Sequence, residues 1–266
     1  LIHPDIHFVF PITTTKKHSK KVVSKEFYPE WRKFVQENNG FITLDDWYNF
    51  IEVENKQGII SAEECNEIIN TLNYKTFESE YKVVIIWMIE KLYYSAAPKI
   101  LKLLEEPPEK TLFLLIADDY QQILDTILSR IQFIKLGKPS RAEIQEYLNK
   151  HFDIPQESIA QLCFKHNNNI TEIISSIKNG NDDNKFMNFF VEWMRTCYRG
   201  QIDSIIKFAD EFRSFGREKQ KNFFEFCSVQ IRNSFYASYS ERLLKYYDSE
   251  QSNFYQNFGK YLHPKN

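Results

Sequence analysis

The side chains in this sequence that can do chemistry are few and widely spaced. Arg130 follows Ser129 in "ILDTILSRIQFIKL". A guanidinium is permanently charged and forks onto oxygen anions, so it suits either a phosphate contact or a surface ion pair with Asp or Glu. The stretch "TTTKKHSKK" gathers Lys16, Lys17, Lys20 and Lys21. They are candidate contacts for DNA phosphates, although clusters of this kind also serve as plain solvated loops. The six histidines include no H-E-x-x-H spacing, and His3 and His7 flank a predicted strand, so no metal site is expected. Cys65, Cys163, Cys197 and Cys227 form no C-x-x-C pair, which argues against a zinc ribbon or a disulfide framework and for reduced, mostly buried thiols of a cytosolic protein. No G-x-S-x-G elbow or Cys/His pairing points to a nucleophilic enzyme.

Carboxylates are missing from one place where they matter. In "YKVVIIWMIEKL" an apolar, strand-like run ends in Trp87 and Met88. Many nucleotide-hydrolysing proteins carry acidic residues at such a strand tip, and Trp and Met can neither hold Mg²⁺ nor orient a water. Trp87 reads equally well as core packing. Glu90 lies three positions beyond Trp87, past a change of backbone direction, and is not expected to substitute.

The elements that must position these residues follow from periodicity and punctuation. "DIHFVFPI" alternates and stops at Pro11, which suits a strand of about five residues. Residues 27–55 place Trp31, Trp47 and several Phe and Tyr at helical spacing, predicting two short amphipathic helices. Ser61 with Glu64 reads as a capping box opening a helix to about Asn73. A buried strand is expected over 82–88, then a helix through "AAPKILKLLEE" capped by Ser95, with Pro98 tolerated in the first turn. "EEPPEK" ends that helix. "TLFLLIA" reads as a further buried strand, "YQQILDTIL" as a short helix and "QFIKL" as one more strand. Strands alternating with helices at these lengths predict a parallel α/β sheet with covered faces. After "GKPS" the strands stop. Ser140 with Glu143 forms a second capping box, two more helices follow, and beyond the polar break "NGNDDN" come three longer amphipathic helices.

Composition bounds the rest. The 266 residues are 42% hydrophobic and 26% charged, the balance of an ordinary soluble protein with room for more than one core. A formal net charge of −2 supplies no global field toward nucleic acid or an anionic membrane. The longest apolar run, "VVIIWMI", suits one core strand rather than a membrane span. The opening "LIHPDIHFVFP" has no charged leader before its apolar run, as a signal peptide would, and reads as the middle of a domain, so the chain is expected to be a piece, or the ordered part, of a longer protein.

The order of "HPDIHFVFP", "YKVVIIWMIEKL", "APKILKLLEEPPEKTLFLLIA" and "ILDTILSRIQFIKL" resembles the AAA+ clamp-loader subunits of bacterial DNA polymerase III, most closely those of the delta-prime type. The resemblance is close over roughly 58 to 150, and the order of domains fits the rest. It implies a partial AAA+ parallel-sheet core over 1–136, a three-helix lid over 137–182 and an all-helical collar over 183–266. The family's phosphate-binding loop and four-cysteine zinc module would lie outside this chain, leaving no cofactor in it.

On this resemblance Trp87 and Met88 occupy the degenerate acidic-pair positions. Asp118 falls near the sensor position, where a carboxylate would repel a phosphate. Glu172 stands where active members often place an arginine. The family's Ser-Arg-Cys motif appears as Ser129, Arg130 and Ile131, so Arg130 becomes a trans finger for a neighbour's nucleotide. The implied function is a non-hydrolysing stator in the cytoplasm. Its implied partners are gamma/tau-type and delta-type loader subunits and, through the assembly, the sliding clamp and primed DNA, with no membrane. Two alternatives stay open: a gamma/tau-type clamp-loader ATPase, and an AAA+-derived interaction module outside replication.

Overall fold

Three short parallel strands organise the first half of the chain: β1 (Ile6–Val9), β2 (Lys82–Trp87) and β3 (Thr111–Ile116), in the order β1-β2-β3. The computed structural model describes residues 3–15, 17–18, 22–53, 56–179, 182–239 and 249–262. It divides into two compact units, Leu1–Leu136 and Gly137–Asn266. Register runs from Ile6↔Val83 to Val9↔Ile86 on one side of β2, and from Lys82↔Thr111 to Trp87↔Ile116 on the other. The central strand is rich in β-branched residues because a parallel strand covered on both faces can carry almost no polar side chain.

Alternation along β2 sends its residues to two different cores. Val84 and Ile86, with Val9 of β1, pack beneath α3 (Ala62–Asn73) and α4 (Ala97–Glu105), where Cys65, Ile68, Leu72 and Ile100 fill the layer. Trp87 faces the other way. There α1 (Tyr28–Glu37) and α2 (Leu44–Phe50) bring in an aromatic cluster: Phe10 stacks on Trp31 at 4.1 Å, Trp47 meets Trp31 edge-on at 5.1 Å, and Trp87 lies 5.2 Å from Trp31. Each such pair adds about 0.5–1.5 kcal/mol to the burial of the rings. The aromatic segment therefore covers the second face at Phe8 of β1 and at the tip of β2, while Val83 and Ile85 are half-buried. The Trp47 indole is satisfied by donating to the Pro11 carbonyl at 3.1 Å.

That cover includes no residue of β3. Leu112, Leu114 and Ile116 are 48%, 44% and 46% exposed, so the strand expected to be buried is half-buried on one face and exposed on the other. "QFIKL", expected as another strand, forms none. Phe133, Ile134 and Leu136 are exposed, and the Phe133 ring lies 5.3 Å from that of Tyr120. Apolar composition gives a segment β propensity, but a strand forms only where its amides and carbonyls pair with a neighbour, and this segment pairs with none of the described strands, β3 remaining at the edge of the sheet.

Three local expectations are also corrected. Ser61 accepts from the Glu64 amide at 3.3 Å, but the Glu64 carboxylate does not return the bond; it is buried and accepts from the Ser24 amide at 2.7 Å instead. Ser95 does not cap α4, whose N-cap is Ala96 without a side-chain bond, although Pro98 does sit in the first turn. "YQQILDTIL" is a 3₁₀ turn over Tyr120–Gln122 followed by α5 (Asp125–Leu128) rather than one helix. The capping box at Ser140 and Glu143 forms in full.

Buried polar groups tie the loops down. Asp5, 2% exposed, accepts from the amides of Phe77, Glu78 and Ser79 at 2.7–2.9 Å. Burial alone would raise its carboxyl, but those bonds and the Ser79 hydroxyl outweigh it and hold the group well below the usual carboxylate range. Lys82 points its ammonium at the carbonyls of Thr71, Leu72 and Tyr74, capping the end of α3 where the helix dipole is negative.

Among its described residues the second unit has helices and no strand. It opens with α6 (Arg141–His151), α7 (Gln156–Lys165) and α8 (Ile170–Asn179), and continues with α9 (Asp182–Arg199), α10 (Ile202–Ser214), α11 (Arg217–Tyr239) and α12 (Ser249–Gly259). The last of these was not anticipated. Phe189, Phe190, Phe223 and Cys227 form one buried cluster of this unit, flanked by Phe254 and Phe258 of α12. No described helix is long and apolar enough to cross a membrane.

Two outcomes follow for stability. Burial pushes the Glu64 carboxyl from 4.5 up to about 7, against the lowering effect of the Ser24 bonds. Between those values the folded chain holds a proton that the unfolded chain has released, so this group's contribution is greatest below pH 4.5 and declines as pH rises to about 7. Thermal unfolding at several pH values should show the wild type losing roughly 1–3 kcal/mol across that window relative to Glu64→Gln. Trp87→Asp should cost on the order of 3–5 kcal/mol in urea unfolding, since it empties an aromatic site and buries an unpaired carboxylate.

Candidate functional site

The tip of β2 is built from apolar side chains held in place by the aromatic cover. Trp87 and Met88 are 8% and 5% exposed and belong to the same cluster as Trp31 and Phe10. Met88 adopts the left-handed conformation at φ +59°, which turns the chain so that Ile89 enters the opposite core. This is a costly geometry for a non-glycine residue, sustained by packing on both sides. No carboxylate occupies either position.

Glu90 has a different task. Its Oε1 accepts from the amides of Asp118 at 3.0 Å and Asp119 at 3.4 Å, pinning the loop after β3 to the turn after β2. Trp87, Met88, Glu90 and the exposed Asp118 are thus gathered at the carboxyl end of the sheet, where open α/β sheets commonly hold ligands. The residues present do not make the paired acids that hold a metal-bound triphosphate: two are apolar, Glu90 engages backbone amides through Oε1 and keeps a single buried Oε2 without a partner, and Asp118 adds negative charge. Among the described residues no group of three or more His, Cys, Asp or Glu is placed to hold a metal ion.

Arg130 stands just beyond α5 and is held from several sides. Its Nε and Nη2 donate to Glu105 Oε1 at 2.6 and 2.5 Å, and its Nη1 donates to the Thr126 carbonyl at 2.7 Å and to Ser129 Oγ at 3.1 Å. Ser129 donates in turn to the Thr126 carbonyl at 3.1 Å. The Ser129–Arg130 pair therefore works as one hydrogen-bonded unit, anchored through the end of α5, with the guanidinium partly open to solvent. Ile131 packs against the α3–α4 core.

The other candidates are less concentrated. Lys17 is exposed, whereas Lys16, Lys20 and Lys21 lie outside the described residues. Glu172, in the first turn of α8, accepts from Asn169 Nδ2 at 2.7 Å and lies 3.4 Å from His166 Nδ1, so its carboxylate serves the local turn. An apolar groove of about 170 Å³ between α9, α10 and α11, lined by Trp193, Cys197, Phe208, Phe212 and Phe224 among others, carries almost no polar surface with which to orient a ligand. Sequence reasoning missed Glu105, read only as part of a helix terminator, and the pinning role of Glu90. Glu105 meets Arg130 across 25 positions, and no periodicity or motif spacing signals such a pair.

A family model described as "DNA polymerase III, delta subunit" matches residues 2–140. Among curated relatives, DNA polymerase III subunit delta' of Yersinia pestis is 35% identical over 121 residues, covering 44% of this chain and 35% of its own. The delta' subunit of Bacillus subtilis (strain 168) is 32% identical over 102 residues, covering 38% and 30%. The DNA polymerase III subunit gamma of Buchnera aphidicola from Acyrthosiphon pisum is 28% identical over 122 residues, covering 44% and 34%. The chain spans about a third of the length of these relatives. With a match that takes in more than half of its 266 residues, and with the parallel strands and the Ser129–Arg130 unit all inside it, the chain belongs to the DNA polymerase III, delta subunit family.

Proposed function

We propose that this chain acts as a non-hydrolysing, delta-prime-like subunit of a DNA polymerase III clamp loader. It would be a stator that lends Arg130 to the nucleotide site of a neighbouring gamma/tau-type ATPase while the assembly places a sliding clamp on primed DNA. The observation that supports this reading most is the tip of β2. Trp87 and Met88 are packed into an aromatic core, and the next acid in the chain, Glu90, uses its Oε1 on the Asp118 and Asp119 amides, beyond the turn at Met88. A site that hydrolyses its own nucleotide needs carboxylates where these side chains stand. What the chain retains is a permanently charged guanidinium at the end of α5, and such a group, delivered across an interface, stabilises the charge that develops on a transferred phosphoryl group.

The names of the relatives divide between delta' and gamma, and this favours a second reading in which the chain belongs to a gamma-type ATPase. The two readings part on the chain's own chemistry. In the first, the purified full-length protein shows no steady ATP turnover by itself; sustained turnover would establish the second.

The finger role is tested in the reconstituted loader. Arg130→Ala should leave assembly intact and lower DNA-stimulated ATP turnover at the adjoining site by about tenfold or more. Unchanged turnover in an intact assembly would sink the role.

A further inference from the structure

We propose that Glu105 is a latch on Arg130, holding the finger in a closed state until the neighbouring nucleotide site draws it out. This rests on the trans-arginine reading above and adds its regulation. A guanidinium has five N–H donors. Four are engaged here: Nε–H and one Nη2–H on Glu105 Oε1, and the two Nη1–H on the Thr126 carbonyl and Ser129 Oγ. The edge that would fork onto a phosphate, Nε with Nη2, is the edge that the carboxylate fills. A phosphate cannot take that edge while Glu105 stays, because the carboxylate both occupies the donors and repels the incoming anion.

The position of Glu105 has its own physical cost. It is the last residue of α4, where the helix dipole is negative and an acidic side chain is unfavourable. Arg130 offsets that charge, so withdrawing the finger uncovers an unfavourable carboxylate, which favours the closed state whenever no phosphate competes. The pair is also built to open. Its side chains are 34% and 48% exposed, and ion pairs this exposed shift an equilibrium by a factor of about five at most. A phosphate-bearing interface can overcome such a lock, which sets a threshold without disabling the finger.

The test is a double-mutant cycle in the reconstituted loader, with assembly checked by size-exclusion chromatography and ATP turnover measured with and without clamp and primed DNA. Glu105→Gln, which keeps the shape and removes the charge, should raise turnover without DNA about two- to fivefold. The same substitution added to Arg130→Ala should change nothing further. If Arg130→Ala lowers turnover while Glu105→Gln leaves it unchanged or reduces it, the finger stands and the latch is wrong. An equal rise from Glu105→Gln in the Arg130→Ala background also overturns the latch, since the effect would not pass through Arg130. If Arg130→Ala leaves turnover unchanged in an intact assembly, finger and latch fall together.

Discussion

The packing of Trp87 against Trp31 is the contact on which the N-terminal unit depends. β2 is central, so each of its faces must be covered, and its alternating side chains commit Val84 and Ile86 to the α3–α4 layer and Trp87 to the aromatic layer under α1 and α2. Because Trp31 also stacks on Phe10 and meets Trp47, one indole ties β1, the tip of β2 and both covering helices together. The tip of a parallel strand is where nucleotide chemistry is usually placed, and here it has become part of a core.

Around that contact, buried polar groups hold the connections in register. Asp5 gathers three consecutive amides of the loop before β2, Lys82 closes the end of α3, and Glu64 fixes Ser24 at the start of the aromatic cover. Ser24 in turn bonds the amide and carbonyl of Phe10, next to the strand it protects. Each of these groups would carry a desolvation penalty if its partners were removed, so the loops that lack apolar contacts are held by bonds that are costly to break. Glu90 belongs to the same class. A carboxylate close to the place where a metal ligand would stand is used to brace two loops.

Much of this was legible from residues alone. The apolar run at β2, the helix ending at Asn73, the prolines closing α4 and the Ser140–Glu143 box all form as expected, because each depends on neighbours within a few positions. The misreadings share a cause. Ser61 and Glu64 satisfy the pattern of a capping box, yet Glu64 is drawn to an amide 40 positions away. "QFIKL" has the composition of a strand yet pairs with no described strand, while β3 has that composition and leaves one face exposed. Of the site, the apolar tip at Trp87 and Met88 and the Ser129–Arg130 pair could be singled out, but Glu105 could not.

The sequence by itself determined the three strands and most of the helices between and after them, the absence of acids at the tip of β2 and the presence of a permanently charged group after α5, since these follow from side-chain chemistry and from periods of two and 3.6 residues. Only the tertiary structure decided which side chains meet: that the aromatic segment covers the tip of β2, that Glu90 reaches the amides of Asp118 and Asp119, and that Glu105 closes on Arg130. Those partners lie some 25 to 60 positions apart in the chain. Nothing local records such distances, because they are fixed by how the sheet and its two layers of helices close on one another.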